Sequence, residues 1–246
     1  MERLSISPKI YFTDLLEMAK CVYLYPGRFY VMFNKQAFAK TLRNEDKKKY
    51  QEFLNLKRQN NIPDIFVYKV SYILNPYMVL RYHHFKFDSY KKLGETMLSY
   101  GPVVDVYLKD LIIYHLLSEY MERMRDDRRQ AKLYQLVKQA EHNSLTNANF
   151  AYWTLAFQLA ETKTLTFNGH KFNKPEEFFR QVSVLSDLFP FSSSFLKNQC
   201  VIAWLSYLGY SSQVKRFKNL SELTDVKEND IAEKLSKEIA KEFITQ

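Results

Sequence analysis

The sequence predicts an α+β protein that is mainly α: a helical chain carrying two small β-hairpin-plus-helix modules. Three observations carry that expectation. Gly (5) and Pro (7) are scarce among 246 residues, while Leu, Lys, Glu, Phe and Tyr dominate, a composition suited to helices joined by short connections. The chain is 46% hydrophobic and 16% aromatic, enough apolar material to bury a substantial core. Finally, Leu80-Arg81-Tyr82-His83-His84-Phe85-Lys86-Phe87-Asp88 is echoed 85 positions later by Leu165-Thr166-Phe167-Asn168-Gly169-His170-Lys171-Phe172-Asn173. Both stretches run apolar, polar, aromatic through a tight centre to Lys-Phe, and then to a short acidic or amide residue that opens a helical pattern.

From the N-terminus, Ser7-Pro8 followed by Ile10, Leu15, Leu16 and Ala19 predicts a first helix, closed by Tyr25-Pro26-Gly27 because Pro and Gly punctuate the pattern. Arg28 to Phe33 reads as a short strand. The segment from Asp46 to Asn60 reads as a charged surface helix with Tyr50, Phe53, Leu54 and Leu56 as its apolar side. Ile62 to Leu74 fits both a period of two (Phe66, Tyr68, Val70, Tyr72, Leu74) and a helix opened by Pro63. Its length and the bounding Pro63 and Pro76 favour a buried helix.

The first hairpin follows, with Asp88 as the N-cap of a helix carrying Leu93, Met97 and Leu98 and ended by Gly101-Pro102. Pro102 to Met124 is the longest continuous helical pattern, with Asp105, Lys109, His115, Glu119, Glu122 and Arg123 on one face. A basic helix from Arg128 to Glu141 comes next. An aromatic helix from Asn149 to Ala160 then places Trp153 and Phe157 on a common face.

In the second module, Asn168-Gly169 between short strands is the preferred type I′ turn, because both central residues need positive φ. Asn173 with Glu176, and Pro175 in the first turn, form a helix start. Phe178, Val182 and Leu185 make its apolar stripe. Phe191 to Phe195 reads as a Ser-rich bend, and Cys200 to Leu208 as an apolar helix closed by Gly209. From Phe167 to Leu220, including Ala203-Trp204-Leu205 and Leu208-Gly209, the chain resembles small hairpin-plus-helix repeats of bacterial signalling proteins. The shared residues are structural, and the resemblance implies no function. Thr224 to Gln246, with Ile231, Leu235, Ile239 and Phe243 at four-residue spacing, is an amphipathic helix that docks on the core or is offered to a partner. The expected division is one globular unit over 1–222, with an internal boundary near 142–148 as the alternative, and the C-terminal helix over 223–246.

Several function classes have no motif here. There is no Walker loop, Gly-x-Gly-x-x-Gly, His-Glu-x-x-His or Gly-x-Ser-x-Gly, and five glycines leave little material for a phosphate-cradling loop. Cys21 and Cys200 have no metal-ligand spacing, so no metal or cofactor is expected and a reducing compartment is the simpler reading. The N-terminus lacks a basic-then-apolar leader pattern, and no run of about 18 apolar residues occurs; a soluble cytoplasmic protein without a transmembrane segment is expected.

Four sets of residues bear on chemistry. His83 and His84, as strand neighbours, would point to opposite faces and not share an ion. His115, Glu119 and Glu122 share a helical face but lack a matching Glu-x-x-His unit for a bundle metal site, so a solvated polar face is preferred. Asp110 falls on the apolar face of the long helix among Val106, Ile113, Leu117 and Met121. A carboxylate there must be paired, hydrogen-bonded or neutralised, and a structural role is preferred over a catalytic one. Arg81, Tyr82, His84 and Lys86 resemble a stacking platform for single-stranded nucleic acid, against the plainer reading of a hairpin whose rings face the core. The net charge of +9 suits an anionic partner, with part of the excess in Arg43 to Arg58 and Arg123 to Lys132; such mixed runs are usually solvated. The expected function is therefore a non-catalytic protein-interaction or regulatory module. A basic nucleic-acid-binding protein is the alternative, and an enzyme with a site near Asp110 and His115 comes third.

Overall fold

The computed structural model describes residues 4–59, 61–124, 128–188, 198–221 and 238–245. Its elements run β1 (Leu4–Ser7), β2 (Ile10–Phe12), α1 (Leu15–Cys21), a 3₁₀ turn (Val22–Leu24), α2 (Pro26–Phe33), α3 (Gln36–Glu45), α4 (Lys47–Lys57) and α5 (Pro63–Leu74). Then come β3 (Leu80–Tyr82), β4 (Phe85–Phe87), α6 (Tyr90–Val104), α7 (Val106–Ile113), α8 (Leu116–Met124) and α9 (Arg128–Ala160). The series closes with β5 (Leu165–Phe167), β6 (His170–Phe172), α10 (Pro175–Leu188), α11 (Gln199–Tyr207) and α12 (Ser211–Ser221). The protein is mainly helical, with three two-stranded antiparallel sheets, β1-β2, β3-β4 and β5-β6.

The N-terminal sheet corrects the first expectation. Ser7-Pro8 turns the chain into a hairpin instead of opening a helix: the Ser5 hydroxyl donates to the carbonyls of Ser7 and Ile10, and the Ile10 amide donates to Ser7 Oγ at 3.2 Å. These side chains satisfy the loop's backbone groups, which favours a turn. The helix starts only at Leu15, capped by Asp14, whose Oδ1 accepts from the Leu16 amide at 2.7 Å. Arg28 to Phe33 is likewise helical, not a strand. Pro26 supplies the pre-set φ of a first helical turn, and Phe29, Met32 and Phe33 are buried at helical spacing.

The span from Pro102 to Met124 is not one helix. Gly101 (φ 73) breaks α6, Asp105 caps α7 by accepting from the Tyr107 amide at 3.1 Å, and His115 (φ 59) separates α7 from α8. A single helical wheel therefore does not apply, and Val103 and Val104 are exposed. In α9 the non-helical Asn147 accepts from the Phe150 amide at 2.9 Å, so it caps the aromatic half of the helix.

The three hairpins share one pattern. Their outer pairs are Leu4↔Phe12, Leu80↔Phe87 and Leu165↔Phe172, all buried. A helix begins three residues after each phenylalanine, and the sixth residue after it (Met18, Leu93, Phe178) is fully buried. The first hairpin holds one extra residue, absorbed by a register shift between Ser5 and Ser7. In the second, His83 and His84 occupy the turn rather than a strand, with His83 at φ 48. In the third, Asn168 (φ 48) and Gly169 (φ 82) make the expected left-handed pair.

By its contacts the chain divides into two compact units, Met1–Ser89 with Asp105–Glu141, and Tyr90–Val104 with His142–Gln246. In the first unit α5 is central: every residue from Ile65 to Leu74 is buried. Its buried Lys69 is paired with Glu119 of α8 at 2.5 Å. A ladder of rings, Phe12, Phe29, Phe33, Phe38, Phe53 and Phe66, runs through the unit with successive centroids 4.7 to 6.1 Å apart. In the second unit Phe157, Leu165, Phe172, Phe178, Phe179, Trp204 and Phe217 form the core. Residues 238–244 are helical, and Ile239, Ala240 and Phe243 belong to this core, so this end of the C-terminal helix docks in cis. Ile231, Leu235 and the bend at 191–195 lie outside the described residues, as do the side chains of Val182 and Leu185. No helix among the described residues is long and apolar enough to cross a membrane.

Candidate functional site

In the first unit, the residues singled out from the sequence form three local networks. Tyr82 is almost wholly buried; its ring packs on Tyr68 and His83 (centroids 4.7 and 4.5 Å), and its hydroxyl donates to Asp110 Oδ2 at 3.1 Å. Burial pushes the Tyr82 hydroxyl far above its ordinary pKa, with the Asp110 charge adding to it. Burial also raises the half-buried Asp110 carboxyl, an effect the Tyr82 hydrogen bond opposes. The neighbouring Tyr68 is pushed up to about 12 by burial, and its hydroxyl accepts from the His83 amide at 2.8 Å. His83 stacks on Tyr107 at 3.9 Å, and burial lowers its pKa against the pull of Asp64, which lies 4.0 Å away.

The other hairpin residues are engaged nearby. His84 Nε2 lies 3.5 Å from Asp105, Lys86 pairs with Asp88 at 3.1 Å, and the Arg81 guanidinium lies over the Tyr23 ring at 4.4 Å. Of Arg81, Tyr82, His84 and Lys86, the tyrosine ring thus has its faces taken up inside the fold, while the exposed His84 ring packs on Phe85 with centroids 4.0 Å apart.

His115 sits at the α7–α8 break with its Nδ1 2.9 Å from Glu141, a buried carboxylate that Lys138 also approaches at 3.3 Å. Burial works against the Lys138 ammonium, but Glu141, with Tyr134 and Glu122, outweighs it and raises its pKa. Glu119 serves Lys69, and Glu122 accepts from the Tyr134 hydroxyl at 2.6 Å. Of the helical face expected to join His115, Glu119 and Glu122, Glu119 therefore goes to Lys69, whereas Lys138 links Glu122, at 3.8 Å, to the Glu141 that His115 faces. His115 and Asp110 belong to different networks. Among the described residues no group of three or more His, Cys, Asp or Glu is placed to hold a metal ion.

The second unit holds a cleft of about 680 Å³ that the sequence did not announce. Its wall is the polar face of the third hairpin: Thr164, Thr166, Lys171 and Asn173, with Thr166 paired to Lys171 across the strands. α6 contributes Lys91, Glu95 and Ser99 to the lining, and Leu98, Phe157, Ala160 and Cys200 are its apolar members. The hairpin is held there by the Trp204 indole, which donates to the Lys163 carbonyl at 2.7 Å, and by the Thr164 hydroxyl, which donates to Asn173 Oδ1 at 2.7 Å. Burial pushes the Cys200 thiol up to about 12, so it stays protonated and a poor nucleophile at neutral pH. Alternation of Thr164 and Thr166 with Leu165 and Phe167 was the available signal that one hairpin face is left polar. Nothing in sequence brings α6, some seventy residues earlier, beside it.

The cleft and the three local networks define a mainly helical, hairpin-bearing protein with a polar groove. No family model, curated protein or solved structure matches this chain.

Proposed function

We propose that the protein is a non-catalytic interaction module, and that its second unit receives an extended segment of another protein in the cleft along β5 and β6. The observation that carries the reading is the third hairpin, which lines the cleft with Thr164, Thr166, Lys171 and Asn173 and whose two strands, among the described residues, pair with no third strand. With Phe167↔His170 flanking a two-residue turn, Thr166↔Lys171 is the non-hydrogen-bonded pair, so the Thr166 amide and carbonyl point outward from the ladder. An extended chain can add to such an edge through main-chain hydrogen bonds, with side-chain contacts supplying specificity. Lys91, Lys163 and Lys171 against Glu95 and Glu161 give the groove a mixed, slightly cationic rim suited to a segment bearing a carboxylate. The apolar lining residues Leu98, Phe157 and Ala160 suit one anchoring side chain of that segment. The two free cysteines support a reducing, cytoplasmic setting.

Peptides selected by phage display against the purified full chain provide the probe, with affinity read by fluorescence anisotropy. Lys171→Glu and Thr166→Pro should each weaken the best peptide by about tenfold or more, or about 1.4 kcal/mol. The proline removes an outward N–H without taking a hydrogen bond from the hairpin. Binding that survives both substitutions, or no enrichment at all, would sink the reading.

A further inference from the structure

The basic excess is unevenly placed. The first unit carries 22 Lys and Arg against 15 Asp and Glu, whereas the second carries 14 against 12. Within the first unit, Asp105–Glu141 is balanced at seven of each, so the surplus comes from residues 1–89. Its densest part is the helix pair α3–α4, joined through the single residue Asp46.

Each helix turns to solvent an arc that carries no acid, with the exposed Glu45 ending α3 outside that arc. At about 100° per residue, Lys47, Lys48, Gln51, Asn55 and Arg58 fall within an arc of about 100° on α4, and all five are exposed. On α3 the corresponding arc holds Gln36, Lys40, Arg43 and Asn44, also exposed. The apolar sides of the same helices, Phe38, Leu42, Phe53 and Leu56, are buried, so the orientation of each is fixed by the core.

The fold itself does not account for these cations. Lys49 is structural, donating to the Leu74 carbonyl at 3.0 Å and lying near Asp46, and Lys57 lies over the Phe53 ring. Lys47 and Lys48 stand in the first turn of α4, where the helix dipole disfavours positive charge. Several other helix cations sit beside acids, as in Arg180–Glu176, Lys138–Glu122 and Arg216–Glu242. On the α3–α4 face the neutral members are amides, which can donate and accept and do not repel an anion.

We propose that the exposed face of α3 and α4 binds the phosphodiester backbone of a nucleic-acid duplex. Lysine and arginine neutralise phosphates, and Gln and Asn side chains add neutral hydrogen bonds to phosphate and sugar; such contacts position a protein without reading sequence. The site is distinct from the first hairpin, where Tyr82 is buried, and from the cleft of the second unit.

The test measures anisotropy of labelled DNA and RNA duplexes of equal length, titrated with the full chain over a range of NaCl concentrations. The wild type should bind at least one duplex with steep salt dependence. Lys47→Gln/Lys48→Gln/Arg58→Gln should reduce affinity at least about tenfold and flatten the slope of log K against log salt by about 2 to 3, near 0.9 per lost phosphate contact. Gln51→Glu/Asn55→Glu should weaken binding without removing a cation. The charge-matched control Arg180→Gln/Lys215→Gln/Lys241→Gln should keep the wild-type slope, and thermal melting verifies that each variant is folded. Equal losses in the control and the α4 variant would reduce the effect to net charge and overturn the assignment to this face. Binding to neither duplex, or to anionic lipid vesicles alone, would overturn the proposal.

Discussion

Asp110 and Tyr82 are held together by a hydrogen bond that each needs for a different reason. Burial removes water from both groups, so the hydroxyl keeps its proton and the carboxyl is biased toward its protonated form. A carboxyl whose folded pKa lies above its unfolded value contributes most below the unfolded value, and that contribution is lost as pH rises through the folded one. At neutral pH the ionised Asp110 is therefore a cost, partly offset by Tyr82. Asp110→Asn, which keeps an acceptor, should melt at or above the wild-type temperature near pH 7, with the advantage fading as pH falls through the ordinary carboxylate range near 4. A marked loss of melting temperature at neutral pH would mean that a cation, and not the Tyr82 hydroxyl alone, holds the charge. Tyr82→Phe leaves the half-buried carboxylate without its donor and should cost about 1–3 kcal/mol by denaturant unfolding. The sequence placed Asp110 among apolar neighbours, but by a wheel that assumed one helix from Pro102 to Met124; its actual partner comes from a strand 28 residues earlier.

Element packing turns on how closely backbones approach. In the second unit α6 meets the end of α9 at Gly94, where an added Cβ would lie 2.3 Å from the Ala160 nitrogen and 2.7 Å from the Leu159 carbonyl carbon. Backbone cannot swing aside as a side chain can, so Gly94→Ala should destabilise by about 3 kcal/mol or more, the upper end of overpacking. Gly27, in the first turn of α2, behaves oppositely: beyond its own helix and chain neighbours, no heavy atom lies within 4 Å of the place a Cβ would take. Gly27→Ala should raise stability by up to about 1 kcal/mol through a less flexible unfolded chain. Paired denaturant melts check both, and a neutral Gly94→Ala would refute the close contact. Local signals gave the right answer where a few neighbouring residues decide: Asn168-Gly169, Pro63 with Leu74, Asp46 ahead of α4. They misread Ser7-Pro8 and Arg28 to Phe33, because a few apolar residues at alternating or helical spacing fit both periods.

At the scale of the molecule, the chain leaves the first unit after Ser89, returns at Asp105 and leaves again after Glu141. The central α5 is covered in part by α8, through Tyr72 against Tyr120 at 5.6 Å and Lys69 against Glu119, so the first unit needs residues on both sides of the excursion. A fragment spanning 1–141 should give helical circular dichroism and a cooperative thermal transition. A fragment ending at 104 should not, because the buried Lys69 and the α5 face would lose their partners. A cooperative melt for the shorter fragment would show that α7 and α8 are dispensable.

The sequence by itself determined the helical class, two of the three hairpins, the boundaries marked by Gly101, Gly169 and Gly209, and the apolar faces of α4, α5 and α11. Those features rest on backbone preferences and periodicity, which act within a few residues. Tertiary structure alone decided that Tyr82 caps Asp110, that His115 faces Glu141, and that α6 joins the later residues instead of its own hairpin. It also decided that Lys91 and Lys171 line one cleft. Each of these depends on contacts between residues tens of positions apart, for which periodicity carries no information.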